Sequence, residues 1–539
     1  MKKKFLSLLF LAIPMFTFAQ EKGLDQKIDE AFAPISDFFS SVIFFPIYES
    51  ESVTIPFVLL LLVGSALFFT VYFKFPNIFH FKTAINVVRG KYDDLDHHGA
   101  GDAALAIDGD LKGTIKDESA EGEVTHFQAL ATAVSGTVGN GNIAGVALAI
   151  ALGGPGATFW MVICGFLGMS TKFVECTLGV QYRDVGEDGT VYGGPMYYIS
   201  KGLKERGFGM LGKITAVIFA IFCIGGSFGG GNAAQSNQAT VVLKELLGLE
   251  STAAGAWIGV VLAILVGIII IGGIKRIAQV TEKVVPFMAG LYVLACLYIL
   301  GANFSLIDDA FSLIFREAFN PTAIGVGGFI GVLLVGFKRA AFSNEAGAGS
   351  ASIAHSAVKT KYSASEGLVA LLEPFIDTIV ICTMTALVII IFNFGGDASG
   401  ATVFQYGGDG AGAVLIDGVS YEGAGITSKA FAEYIPYSNV FLTVAVVLFA
   451  VSTMISWSYY GLQAWKFLFG RGKAADMAYK LLFLIFVVIG AAASMKSIWD
   501  FSDAMIFAMV FPNMVGLFFL FPVVKKQLKR YTDAIRTNA

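Results

Sequence analysis

About eleven stretches of this 539-residue chain are apolar over the ~20 residues that an α-helix needs to cross the hydrocarbon of a bilayer. They lie near 53–73, 125–151, 156–180, 214–242, 253–274, 284–301, 322–350, 367–393, 437–464, 478–497 and 502–523. Lipid satisfies no backbone N–H or C=O, so segments of this length and polarity must be helices. Composition agrees: 55% of the residues are hydrophobic, 14% are charged, and the mean hydropathy is +0.71. A soluble domain carries about 25% charged residues. An all-α integral membrane protein is therefore expected. The net charge of −4 gives no reason to expect nucleic acid as a partner; the bilayer itself is the expected one.

Lysines at 2–4, the apolar run "FLSLLFLAIPMFTF" and the small Ala19 follow the order of a secretory signal, so residues 1–19 are read as a signal peptide, with a retained first helix as the alternative. Cleavage leaves the mature N-terminus outside. Alternate loops then face the cytoplasm, and these hold the cations: Lys74, Lys82, Arg89 and Lys91; Arg183, Lys201, Lys204 and Arg206; Lys275 and Arg276; Lys359 and Lys361; Arg471 and Lys473. The tail, 524–539, opens with "KKQLKR" and is placed in the cytoplasm; a bacterial inner membrane is the expected location. Two polar insertions interrupt the pattern, 92–124 inside and 395–430 outside. His97 and His98 fit no metal motif and read as loop residues. The five cysteines lie in apolar stretches without a C-x-x-C pair, and no disulfide framework is expected.

Two of the apolar stretches are interrupted. "SGTVGNGNIAG" at 135–145 puts Gly136, Gly139, Gly141 and Gly145 inside the second span. Glycines at such spacing also let membrane helices pack closely, but packing needs no buried amide, and Asn140 and Asn142 favour a programmed break. "VGFKRAAFSNEAGAGSASIAHSA" at 335–357 places Lys338, Arg339 and Glu345 in the seventh span. Charges there line a cavity or pair with each other. Asn344 is expected to cap a new half-helix, with Glu345 in its first turn. Asn142 and Asn344 share the pattern N-x-A-G, and each lies in the first helix of a five-helix set, spans 2–6 and 7–11. An odd number of spans inverts the second set, and matching breaks in inverted halves point to a transporter's midplane site.

These residues resemble the alanine/glycine:cation symporters. The likeness rests on "VGNGNIAGVALAIALGGPGATFWM", "GMSTKFVECTLGVQYR", "YGGPMYYI", "GGGNAAQSNQ", "GGIKRIAQVTEKVVPFMA", "FSNEAGAGSASIAHSA", "STMISWSYYG" and "FSDAMIFAMVFPN", in order between about 125 and 523. Asn140, Ala348 and Ser352 depart from the usual pattern. The resemblance implies a leucine-transporter-type 5+5 inverted repeat over 125–523 with one extra N-terminal helix, 53–73. It also implies sodium-coupled import of small neutral amino acids such as alanine and glycine, with no cofactor beyond the ion and no catalysis. A monomer is expected to suffice.

A zwitterion needs donors for its carboxylate and acceptors for its ammonium. Amides freed between Thr137 and Gly141, with Gly139 and Asn142 among them, suit the first requirement. The resemblance adds Gln235 and the turn of Phe342, Ser343, Asn344 and Glu345. Trp457 would wall the pocket, with a place at the membrane interface as its alternative. Ser452, Thr453 and Ser456, facing carbonyls near Gly136 and Gly139, offer the oxygens that sodium requires; a serine bonded back to its own helix is the competing reading. The rivals are a sodium- or proton-coupled carrier of another small solute, then a channel, then an intramembrane enzyme. No H-E-x-x-H motif is present, His355 has no ligand partner at i+4, and Glu373 and Asp377 are expected at a helix end near Pro374. Proton coupling would run through Glu345 or Glu175, although Lys172 on the same face as Glu175 suggests an ion pair.

Overall fold

The computed structural model describes residues 23–50, 53–93, 95, 122–186, 189–320, 328–394, 402–407 and 412–538. The expected signal peptide, 1–19, and most of the insertion at 92–124 lie outside the described residues. Among the described residues, seven helices are long and apolar enough to cross a membrane, or eight when one bent pair is taken as a single span. Phe57–Tyr72 and Ala254–Ile270 are apolar but shorter. Strands among the described residues form three two-stranded antiparallel pairs.

The bent pair is the first interrupted stretch. Thr125 starts it with a capping box: its hydroxyl accepts from Gln128 N at 3.2 Å, and Gln128 Oε1 accepts from Thr125 N at 3.1 Å. The helix His126–Thr137 then stops, a π-turn covers Gly141–Gly145, and Val146–Gly153 continues at 51° to the first half. The second interrupted stretch runs as Gly328–Asn344, six non-helical residues, and Ala351–His355. Glu345, Gly347 and Gly349 all take positive φ between the halves. Glycine adopts that region freely, whereas for glutamate it is uncommon and must be held by its surroundings. Two further spans carry π-segments: Gly229–Ala233 joins Gly209–Phe228 to Ala234–Leu247, and Phe375–Cys382 lies within the Ser363–Phe394 run. Single π-turns inside α-helices are frequent at functional sites.

Polarity is arranged inside out. Val261, Ile264, Ile268, Phe287 and Leu294 stand exposed on Ala254–Ile270 and Gly273–Ala302. Asn142, Gln238, Glu366, Glu373 and Asp377 are fully buried. An outer surface this apolar needs lipid to cover it.

Hydropathy misses several helices. Leu24–Ile43, Pro195–Glu205, Ile307–Phe319 and Ala424–Tyr434 are too polar on one face to register as spans. Ala424–Tyr434, with the hairpin pairing Val414 to Tyr421, gives structure to the second half of the insertion at 395–430. Leu24–Ile43 is tied down by Asp25, whose carboxylate accepts from Gly255 N at 3.2 Å and Ala256 N at 3.3 Å, closing the start of Ala254–Ile270. Asp25→Ala should cost about 1 kcal/mol, as the loss of a helix cap does. Thermal unfolding of the purified protein would read this as a lowered midpoint.

Candidate functional site

The two breaks meet. A Cβ built on Gly141 would lie 3.5 Å from Ser343 Cα, so the π-turn of the first stretch packs closely against the last turn of the half-helix Gly328–Asn344. Both converge on one side chain. Asn142 Nδ2 donates to Asp377 Oδ1 at 2.6 Å and to Asp377 O at 3.1 Å, while Ser343 Oγ donates to the same Oδ1 at 3.2 Å. Asp377 Oδ2 accepts from Thr378 Oγ1 at 2.7 Å. Asp377 lies inside the π-segment Phe375–Cys382 rather than at a helix end, whereas Glu373 lies in the short helix Leu372–Pro374 that opens after the turn at 370–371. The role of Asp377 escaped the sequence because its partners stand 235 and 34 positions away.

Two amides of the first break are occupied by protein atoms. Gly139 N donates to Asn142 Oδ1 at 2.9 Å and Asn140 N donates to Gln235 Oε1 at 2.9 Å. Thr137 Oγ1 turns back to Ala133 O at 3.3 Å. Gln235 completes a bridge between two broken helices, its Nε2 donating to Gly230 O at 2.9 Å in the neighbouring π-turn. Asn140 also donates to Gln235 O, and its own Oδ1 is buried without a hydrogen-bond partner.

The second break corrects one expectation. Asn344 ends the half-helix Gly328–Asn344 and starts none; its Oδ1 accepts from Ala346 N at 3.0 Å and its Nδ2 donates to Thr378 Oγ1 at 3.0 Å. Glu345 therefore follows a helix C-terminus. Trp457 Nε1, at 2.9 Å, and the Ser350 hydroxyl donate to its carboxylate and fix the left-handed backbone. Trp457 is buried rather than interfacial, and a side chain on Gly231 would overlap its ring.

Of the expected cation ligands, Thr453 stands beside Gly139. Thr453 Oγ1 lies against Gly139 and donates to Ser135 O at 3.0 Å; Ser135 Oγ donates to Ser452 O at 2.8 Å. Ser452 Oγ turns back to Phe449 O at 2.9 Å, whereas Ser456 Oγ is buried without a partner. Gly136 faces Tyr460 instead, with the hydroxyl 2.9 Å from a Cβ built there. Thr453 Oγ1 and Ser135 O stand together as neutral oxygens of the kind a hard monovalent cation wants; sodium would supply charge there and no covalent chemistry.

A second polar array lies toward the end of the bundle at which His126 begins the first broken helix. His126 and His355 contact opposite oxygens of Glu366, His355 Nε2 faces Glu373 Oε2 at 3.6 Å, and Glu373 Oε1 accepts from Lys172 Nζ at 3.0 Å. Lys172 is thus the partner of Glu373, not of Glu175 as its spacing suggested. Glu175 Oε1 accepts from Asn513 Nδ2 at 2.7 Å. His355, which has no ligand partner at i+4, finds its partners 11 and 18 positions further along the chain (366 − 355 and 373 − 355).

A polytopic helical bundle with two unwound helices sharing a buried polar centre defines a membrane carrier. The chain belongs to the sodium:alanine symporter family, whose model matches residues 44–539; the family is one of transporters, not enzymes. It is 38% identical over 484 residues to the sodium/alanine symporter AgcS of Methanococcus maripaludis, covering 90% of this chain and 95% of that one. It is 33% identical over 410 residues to the probable sodium/glutamine symporter GlnT of Bacillus subtilis, covering 76% and 79%. Among solved structures, MhsT in complex with L-phenylalanine aligns with a TM-score of 0.49 at 14% identity, over 74% of this chain and 99% of that one. The class is sodium-coupled amino-acid symport in a multi-pass membrane protein.

Proposed function

We propose that this chain imports small neutral amino acids, alanine and glycine first, together with sodium by alternating access. The meeting of both breaks at Asp377, with Gln235, Trp457 and Thr453 around them, is the observation that carries this reading. Backbone groups near Gly139, Gly141 and Asn142 and the turn Phe342, Ser343, Asn344 and Glu345 take the zwitterion. Gly136, Gly139, Ser452, Thr453 and Ser456 are proposed around sodium, Thr453 foremost. The proposed architecture has eleven spans, with 2–6 and 7–11 as inverted repeats, in a bacterial inner membrane. The mature N-terminus is outside, the C-terminus is in the cytoplasm, and one chain suffices. GlnT, a similar chain described as a probable sodium/glutamine symporter, leaves room for other small substrates.

One sodium ion entering down 100 mV contributes about 2.3 kcal/mol. Coupling follows if each ligand raises the affinity for the other by the same factor. The test is labelled-alanine uptake into proteoliposomes with sodium, lithium or proton gradients imposed separately; uptake driven equally without sodium would overturn the assignment. In the same assay Thr453→Ala should raise the sodium concentration for half-maximal uptake about tenfold. Its stability cost should stay near the 1 kcal/mol of the hydrogen bond to Ser135. An unchanged sodium dependence removes Thr453 from the cation site.

A further inference from the structure

The helix Phe57–Tyr72 packs on the last helix, Met495–Asn538, through aromatic rings: the centroids of Phe68 and Phe518 are 5.4 Å apart, those of Tyr72 and Phe521 4.7 Å. Both helices change character at the same level. Phe57–Tyr72 ends just before Lys74, and the last helix turns basic at Lys525 and Lys526. With 44 residues the last helix is far longer than the ~20 that cross a bilayer, so its basic end projects beyond the hydrocarbon. The junction of the two helices therefore lies at the depth of lipid headgroups.

A groove of about 540 Å³ opens at this junction, and its polar wall comprises Lys74, His80, Lys525, Lys529, Asp533 and Arg536. Asp533 is the only acid among the lining residues. Among the described residues, Lys74, Lys525, Lys529 and Arg536 form no ion pair, whereas Lys466 and Lys480 share Asp476 at 3.2 and 2.7 Å. Lys525 lies over the Tyr72 ring instead, 4.9 Å from its centroid. Burial, and then the Arg536 guanidinium, hold the His80 imidazole below its usual pKa, so near neutral pH it is an uncharged hydrogen-bonding group. Four cations against one carboxylate repel each other, and an anion between them relieves that repulsion.

The apolar side of the junction says which anion. Lys74 and Phe75 both have φ of 57°, a left-handed conformation uncommon for residues other than glycine and frequent at ligand clamps. This turn gives Lys74 to the groove and starts the short helix Pro76–Phe79, which leaves Phe75, Ile78 and Phe79 exposed. Phe79 lines the groove too and is 73% exposed. A soluble phosphate would use the cations alone. A phospholipid uses both, its phosphate on lysine and arginine and its acyl chains on the aromatic and aliphatic ledge.

We propose that this groove binds an anionic phospholipid, which clamps Phe57–Tyr72 to the end of the last span. Lys74, Lys525, Lys529 and Arg536 hold the phosphate, and Asp533 accepts from a headgroup hydroxyl. The site stands apart from the central one and holds whatever solute the protein carries.

The experiment is native mass spectrometry and thermal unfolding of the delipidated full chain in detergent. Phosphatidylglycerol, phosphatidylcholine of the same acyl chains, or inorganic phosphate is added to it. Phosphatidylglycerol should be retained as a saturable adduct and raise the thermal midpoint; phosphatidylcholine, with no net charge, should need about tenfold more. Lys525→Gln combined with Lys529→Gln changes two exposed side chains, so the lipid-free midpoint should match the wild type. That pair should weaken phosphatidylglycerol about thirtyfold, at about fivefold per cation. Lys204→Gln with Lys473→Gln, two exposed cations outside the groove, should leave it unchanged. Equal retention of the two lipids, or an equal loss in both double variants, overturns the proposal. Protection by inorganic phosphate at the same concentration as the lipid also overturns it, in favour of a soluble anion.

Discussion

Gly139→Ala abolishes sodium-driven alanine uptake in a protein that still inserts and folds: that is the expected result. The added methyl would collide with Thr453 Oγ1 and stand 3.0 Å from Gln235 Oε1, the acceptor for Asn140 N. Overpacking of this kind costs about 1–3 kcal/mol in stability. A displacement of about 1 Å among groups that must hold a ligand in register costs about a hundredfold in rate. Two controls separate space from composition. Gly64 has nothing within 4 Å of a built Cβ, so Gly64→Ala should transport normally. Gly141→Ala meets its nearest neighbour at 3.5 Å, an ordinary contact, so any loss there reports on substrate rather than packing. Near-normal uptake by Gly139→Ala would mean that the break does not form the site.

Lys172→Met has the second-largest expected effect, on stability. Lys172 and Glu373 are both fully buried and paired at 3.0 Å. Removing one member of a buried pair strands the other charge, at about 3–5 kcal/mol, whereas neutralising both is far cheaper. Lys172→Met should therefore lower the thermal midpoint sharply and spoil monodispersity, and adding Glu373→Gln should restore most of the loss. A double-mutant cycle measures the coupling directly. Additive losses would show that the pair contributes no interaction of its own.

What could be read from the sequence depended on the range of the interaction. Spans declare themselves through some twenty neighbouring residues, and the breaks at Gly139 and Glu345 through glycines, asparagines and charges in apolar surroundings. Both signals are local, and both sites are where the helices unwind. The amphipathic helix Leu24–Ile43 gives hydropathy too little to register, since half its surface is polar. Partnerships across the fold left no trace. Lys172 lies three residues before Glu175, so spacing favours that pair, yet the tertiary fold delivers Glu373, 201 positions on. Asn344 has the residue type of an N-cap but serves an Asx-like turn after its helix, because Gly347 and Gly349 bend the chain before Ala351 can begin another. Ser452 likewise looks like a free hydroxyl until its own backbone claims it.

The grip of Asn142 and Ser343 on a single oxygen of Asp377 means that neither unwound segment can swing alone. We infer that any movement of one hinge must break or carry this clasp, so the two hinges reorient together, loaded or empty.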